Sequence, residues 1–427
     1  PYMMLPGEQL VLSVSKARPA IKNYSSNIDD LSTATTTYAG DGTSGLVDSS
    51  NPLAARFNTP RGLAFDSKGN LFVSDSGNHR IRKITPDGVV STFAGASSGD
   101  VDGIGVAAKF DSPEGIIIDS ADNIYVADFN NSKIRKITPG AVVTTLCSTT
   151  ANPVDVALDS LESKLYACAY AANDHHIGAV SLKPSVGSFV VVAGNPGAAP
   201  SYLNTNGIIN PTAAKFNQPK GITIDSNNRI YVAEAGNHAI RKLFDSANYS
   251  SPQVLTHASV TGSGSPSAGG VGASGYANGD NWSARFYAPC GIRWNSINDS
   301  LVVADAYNNA IRQISSDGTV STLAGPKPPA SGGGFQNSSD RYAVRFNQPK
   351  AVAIFTGSIY VADSDNHLIR KIDIAKDPVA LGRGNLISNS YVSSIPNPNG
   401  HDVTLSTGSI NITFYGSYVN SGGSLLP

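Results

Sequence analysis

The sequence predicts an all-β fold, a closed ring of six four-stranded antiparallel sheets. Three observations predict it: residues 57–95 divide into four strand-like runs, that unit recurs along the chain, and the ring opens on a fourth strand and ends on a third. In the unit, the first run is 63–66, followed by the turn Ser67-Lys68-Gly69-Asn70. The second is 71–75, with a turn at Ser76-Gly77-Asn78, and the third is 80–85. Pro86-Asp87-Gly88 then makes a hairpin, because Pro86 presets φ and Gly88 accepts the positive φ that closes it. The fourth run is 89–93. Four short antiparallel strands joined by tight turns make one blade of a β-propeller.

One such sheet cannot bury both faces alone, so it requires neighbours of its own kind. They are present. Phe110-Asp-Ser-Pro113-Glu-Gly115, Phe216-Asn-Gln-Pro219-Lys-Gly221, Phe286-Tyr-Ala-Pro289-Cys-Gly291 and Phe346-Asn-Gln-Pro349-Lys-Ala351 each open a copy. A worn copy, Asn152-Pro153-Val-Asp155 followed by Lys164-Leu-Tyr-Ala-Cys168, brings the total to six. The recurring F-N-x-P-x-G, Y-V-A-D and N-H-x-I-R-K segments resemble the NHL repeat family over roughly residues 34–374; the resemblance implies a β-propeller, and the six copies imply six blades. It implies little about activity, since this fold carries ligases, lyases, receptors and scaffolds alike.

Residues 1–30 read as an N-terminal arm, with a strand-like run at 9–15 and a polar linker. Residues 31–376 read as the propeller. Ala34-Thr-Thr-Thr-Tyr-Ala-Gly40 matches the fourth strands Val90-Ser-Thr-Phe-Ala-Gly95 and Val320-Ser-Thr-Leu-Ala-Gly325, whereas the last copy stops after its third strand at Ile374. The N-terminal strand is therefore expected to complete the last blade, which removes two open edges. The prolines at 60, 113, 153, 219, 289 and 349 are separated by 53, 40, 66, 70 and 60 residues. The excess lies in loops 41–55, 96–109, 195–215, 259–285 and 326–345, which topology places on one rim, where binding usually resides. Residues 377–427 do not repeat and read as a β-rich arm or small module, with a hairpin turning at Thr407-Gly408. Either arm is also suited to pairing with a neighbouring molecule by strand addition.

The chain has 427 residues, a net charge of −1 and 15% charged residues, against a typical ~25%. No basic block is present, which argues against nucleic acid as a partner, and no apolar run approaches the ~18 residues of a membrane helix. The Gly-, Ser-, Thr- and Asn-rich surface points to an extracellular or cell-surface protein. Sequons at Asn23, Asn130, Asn248, Asn281, Asn298, Asn337 and Asn411 are candidate N-glycan sites. Cys147, Cys168 and Cys290 read as buried small apolar residues, with a Cys147–Cys168 bridge between consecutive blades as the alternative.

Chemistry is sparse. His79, His238 and His367 share one motif position; propeller lyases, similar in fold, hold a metal by histidines, but here Asn-His is part of the repeat and is expected to brace a turn. His175-His176 reads as a surface feature of the worn copy. Asp75, Asp128, Glu234, Asp305 and Asp363 recur together with Arg82, Arg135, Arg241, Arg312 and Arg370, and a pair repeated in blade after blade reads as structural ion pairs. Asp100 and Asp102 lie on an Asp/Gly loop tip that suits calcium or simply a tight turn. No cofactor is expected. The leading expectation is a non-enzymatic extracellular scaffold, binding protein partners or copies of itself through rim loops and terminal arms, as in a homopolymeric fibre or sheath. Its rivals are a lyase or lactonase-like enzyme with a channel site, and a glycan- or peptide-binding ectodomain using rim aromatics such as Tyr202, Tyr276, Trp282 and Phe335.

Overall fold

The computed structural model describes residues 33–172, 174–195, 213–244, 254–258, 274–281 and 283–374, together with strands Thr404–Thr407 and Ile410–Thr413. Its two compact units are Pro1–Ile374 and Ala375–Pro427. Within the first, the described residues form a six-bladed β-propeller. Blade 1 comprises Pro60–Phe65, Leu71–Asp75, Arg80–Ile84 and Val90–Ala94, and blades 2 to 5 repeat this order over 113–148, 152–193, 219–258 and 289–324. Blade 2 carries an additional short edge strand, Gly103–Ile104. In the second unit, Thr404–Thr407 and Ile410–Thr413 pair as an antiparallel hairpin.

Blade 6 takes three strands from the C-terminal end, Pro349–Phe355, Ser358–Asp363 and Leu368–Ile374, and its fourth from Thr33–Ala39. That strand runs antiparallel to the third, from Thr33 opposite Ile374 to Ala39 opposite Ile369. Closure buries Ala39 with Ile369 and Tyr360 of blade 6 and with Leu63, Val73 and Ile84 of blade 1. Similar apolar layers separate the other blades, so each sheet is covered by its neighbours.

The Pro-x-Gly motif opens the innermost strand of blades 1, 2, 4 and 5, with Asp155 and Ala351 at the glycine position in blades 3 and 6, and the glycine has a spatial cause. A Cβ on Gly62 would stand 2.2 Å from the Glu114 carbonyl oxygen of the next blade, and one on Gly221 would stand 2.1 Å from that of Cys290. Only a missing side chain lets adjacent inner strands approach so closely. The residue before the proline sits in the left-handed region, at φ 47–52° for Thr59, Ser112, Gln218, Ala288 and Gln348.

Blade 3 is a full four-stranded sheet despite its worn sequence. It lacks both halves of the repeated ion pair: Ala169 stands where the register puts the acid, and Gly178 stands where it puts the arginine. The Phe189 ring lies against Gly178, 2.1 Å from where a Cβ would be, and fills the space. Losing both members together leaves no buried charge without its partner.

Candidate functional site: the axial channel

The recurring acids and arginines form a plug inside each of the other five blades. Arg82–Asp75, Arg135–Asp128, Arg241–Glu234, Arg312–Asp305 and Arg370–Asp363 pair at 2.7–3.0 Å, with every one of these side chains fully buried. Each guanidinium lies 5.0–5.3 Å over the phenylalanine that precedes the first strand: Phe57, Phe110, Phe216, Phe286 and Phe346. It also donates to a rim-loop carbonyl, Arg56, Lys109, Lys215, Arg285 and Arg345 respectively. Each acid accepts the backbone N–H of Asn58, Asp111, Asn217, Tyr287 or Asn347. Burial raises the pKa of these acids against the pull of the arginines, with Asp363 pushed up to about 6. The plugs bind blade to loop, so the described parts of the rim loops are integral to the ring.

The motif histidines hold blades together. The Nδ1 atoms of His79, His238 and His367 accept the N–H of Ser112 (3.0 Å), Ala288 (3.1 Å) and Thr59 (3.2 Å), in each case the residue before the next blade's first proline. His367 thereby crosses the closure from blade 6 to blade 1. Asn309 does the same work in blade 5, accepting from Gln348 at 2.9 Å, and His175 does it in blade 3, accepting from Gln218 at 2.7 Å. His175 and His176 are therefore buried (6% and 0% exposed), not surface features, and His176 contacts Asp174 and Thr150.

Only a neutral imidazole offers an Nδ1 acceptor, and burial lowers the pKa of His175 and His238 below the ordinary 6.5. The unfolded chain consequently takes up these protons first. Their contribution is complete above pH 6.5 and is lost as pH falls through the depressed folded values. His238→Ala is expected to cost about 1–3 kcal/mol, whereas His238→Asn, copying Asn309, is expected to remain near wild type and to lose less stability on acidification. Thermal midpoints at neutral and mildly acidic pH check both.

Other candidates are similarly occupied. Among the described residues no group of three or more His, Cys, Asp or Glu could hold a metal ion. Asp102 accepts from Arg135 at 2.6 Å and from the Thr145 amide, and Asp100 pairs with Lys133, so the calcium candidates serve the blade 2 plug and its flank. Cys147 and Cys168 are free thiols. Cys147 packs between blades 2 and 3 and Cys168 between blades 3 and 4, so the blade 3 sheet separates them and the alternative bridge does not form. Tyr276 is buried and Phe335 exposed, and both lie over plug arginines, Arg312 and Arg370, at 4.9 Å, so Tyr276 offers no exposed ring at the rim whereas Phe335 does. Tyr202 and Trp282 lie outside the described residues, as do Asn23 and Asn248 and the side chain of Asn411. Of the remaining sequons, Asn130, Asn298 and Asn337 are exposed and Asn281 is half-buried; the Asn337 amide oxygen accepts from Arg370.

The channel is where the repeat breaks. At the Pro-x-Gly glycine, blade 3 has Asp155; two positions further on, where the other blades carry Ala64, Ile117, Ala157, Thr223 and Ala353, blade 5 has Arg293. These two departures meet. Arg293 Nη1 and Nη2 contact the Asp155 carboxylate at 2.8 and 3.1 Å, a two-pronged pair across blade 4. Arg293 also donates to the carbonyls of Ile222, Ile292 and Ile116, and Asp155 accepts the amides of Ile222 and Val156. Room for Asp155 comes from Gly115, where a Cβ would lie 2.2 Å from its Oδ1.

Arg293 lines cavities on both sides of this pair. On the proline side, a cavity of ≈ 50 Å³ is bounded by the residues after the first prolines: Arg61, Glu114, Val154, Lys220, Cys290 and Lys350. On the far side, an open cavity of ≈ 430 Å³ is lined by Phe65, Phe355, Trp294 and Ile354, with Phe65 and Phe355 stacked at 4.3 Å. None of these channel residues stands out by motif. The signal that finds them is a column-by-column reading of the first strands for departures from the repeat.

The teneurin NHL domain family matches residues 99–380, and the NHL repeat matches 57–84. NHL repeat-containing protein 2 from Gallus gallus is 28% identical over 355 residues, covering 74% of this chain and 46% of its own length, and the Homo sapiens protein is 27% identical with 73% and 46% covered. The chain thus spans about half the length of these curated relatives. Among solved structures, a Bacteroides thetaiotaomicron protein of unknown function aligns with a TM-score of 0.62 at 15% identity, covering 81% of this chain and 77% of the other. An auxiliary nutrient binding protein from the same organism aligns at 0.59 and 17%, with the same coverage. At such identities these structures speak for the fold alone.

Proposed function

The chain belongs to the teneurin NHL domain family, and from that premise we propose that it is a non-enzymatic extracellular scaffold that acts through protein–protein contacts. One observation carries the reading. In the described ring the recurrent acids and arginines are spent on plugs, the motif histidines on blade junctions, and the channel is crossed by Asp155–Arg293. A channel enzyme needs reactive groups open to substrate, whereas an interaction propeller needs a rigid ring that presents surfaces. The 15% charged composition and the sequons support an extracellular setting.

In its sharper form, the protein is a subunit of a homopolymeric surface fibre or sheath whose copies join through the terminal segments 1–30 and 377–427. Light scattering and small-angle X-ray scattering on the full chain, produced by a secreting eukaryotic host, test this. Mass that grows with concentration for the full chain, but not after both terminal segments are trimmed, is expected. A compact monomer at high concentration contradicts the fibre, and stoichiometric bound metal with turnover of a lactone or peptide substrate would move the reading to a channel enzyme.

A further inference from the structure

The proline-side mouth of the channel has an uneven charge that the repeat does not impose. Four cations line it, Arg61, Lys220, Lys350 and Arg293, against two carboxylates, Glu114 and Asp155. Asp155 is committed to Arg293 and Glu114 to Arg61, at 2.8 and 2.9 Å. That leaves two ammonium groups, from blades 4 and 6, whose hydrogen-bond partners are neutral. Lys220 is held by the Tyr170 hydroxyl and lies 4.2 Å over that ring; Lys350 donates to Gln348 Oε1 at 3.0 Å. Among the described residues neither makes an ion pair. Burial works against the charge on Lys220, but Glu114 and Tyr170 outweigh it and raise its pKa, so the cation persists at neutral pH.

We propose that this mouth is a binding site for a single carboxylate, received between Lys220 and Lys350. An ammonium that retains unused donors in a partly buried cavity gains most from an anionic acceptor. The size is suitable: ≈ 50 Å³ holds a few water-sized groups, enough for a carboxylate and its α-carbon and too small for a sugar ring or a nucleobase. The guanidinium forks that would favour a phosphate are already taken, Arg293 by Asp155 and Arg61 in part by Glu114. The carboxylate arrives either as a small free acid or at the end of a polypeptide, an acidic side chain or a C-terminus inserted from the rim-loop face. The second source rests on the reading of the protein as an interaction scaffold; the site itself does not.

Calorimetric titration of the full chain with four probes tests this: acetate, inorganic phosphate, an N-acetylated tri-alanine with a free C-terminal acid, and the same peptide amidated. The acid peptide is expected to bind at least about tenfold more tightly than the amide, as for a charge-assisted hydrogen bond, and to weaken with added salt. Lys220→Met and Lys350→Met are each expected to reduce its affinity about tenfold, with thermal midpoints confirming the fold and Lys350→Gln serving as a milder second variant. Acetate binding without peptide binding would retain the carboxylate site and remove the polypeptide source. Phosphate binding in preference to both carboxylates, equal binding of acid and amide, affinity unchanged by the lysine variants, or no binding by any probe would overturn the proposal. The interaction-scaffold reading fails separately, on the scattering experiment.

Discussion

Asp155→Gly, which restores the repeat residue in blade 3, is expected to destabilise the propeller by about 3–5 kcal/mol, and Arg293→Ile, which restores the residue type of blade 2, by somewhat less. Both variants leave one charge buried without its counterion. The asymmetry follows from what remains. Without Arg293, Asp155 still accepts the amides of Ile222 and Val156. Without Asp155, Arg293 is left with backbone carbonyls, beneath a mouth that already holds Arg61, Lys220 and Lys350. The double variant removes both charges and is expected to be more stable than either single variant, because a buried ion pair exchanged for apolar residues is often close to neutral. Thermal and denaturant midpoints of the four proteins close the cycle. Additive losses would show that the two residues do not act as a pair.

Removing Thr33–Ala39 is expected to be more damaging than any point substitution in the ring. The deletion takes away Ala39, which is fully buried, and exposes one whole edge of Leu368–Ile374, including the backbone groups now paired with the closing strand. It also leaves Ile369 and Tyr360 with one covering face missing. An unpaired edge with apolar residues on its faces is a template for another chain. Loss of soluble monomer, with aggregates or strand-exchanged oligomers in its place, is expected on size-exclusion chromatography, and addition of a peptide spanning 31–41 is expected to recover part of the monomer. A deleted chain that remains monomeric with an unchanged thermal midpoint would exclude a structural role for this strand.

Much of the architecture is written in local chemistry, and for that reason it is legible. Pro-x-Gly marks inner strands because the glycine faces the next blade's backbone, and Ala34-Thr-Thr-Thr-Tyr-Ala-Gly40 can be recognised as a fourth strand by comparison with Val90 and Val320 onward. The recurring Asp and Arg sit seven residues apart because one spans the hairpin to reach the other. What escapes such reading is what depends on assembly around the axis. Asp155 looks like erosion within a worn copy, and Arg293 like an ordinary strand residue, until the ring brings blades 3 and 5 to the same axis. His175 shifts from surface feature to blade junction for a similar reason: its acceptor role exists only when blade 4 presents the Gln218 amide. The Cys147–Cys168 alternative fails because proximity of blades says nothing about which face of a sheet a side chain occupies.

The central claim is that one chain closes its own ring, with Thr33–Ala39 seated beside Leu368–Ile374, the last strand of the propeller. Thr36 and Lys371 lie directly opposite each other in that pairing. A Thr36→Cys/Lys371→Cys chain treated with a short bis-maleimide, followed by mass spectrometry of the linked peptides, reads the closure directly. A link within single chains, formed at a rate independent of protein concentration, is the predicted result. Links only between chains, or none despite both thiols reacting, would contradict it.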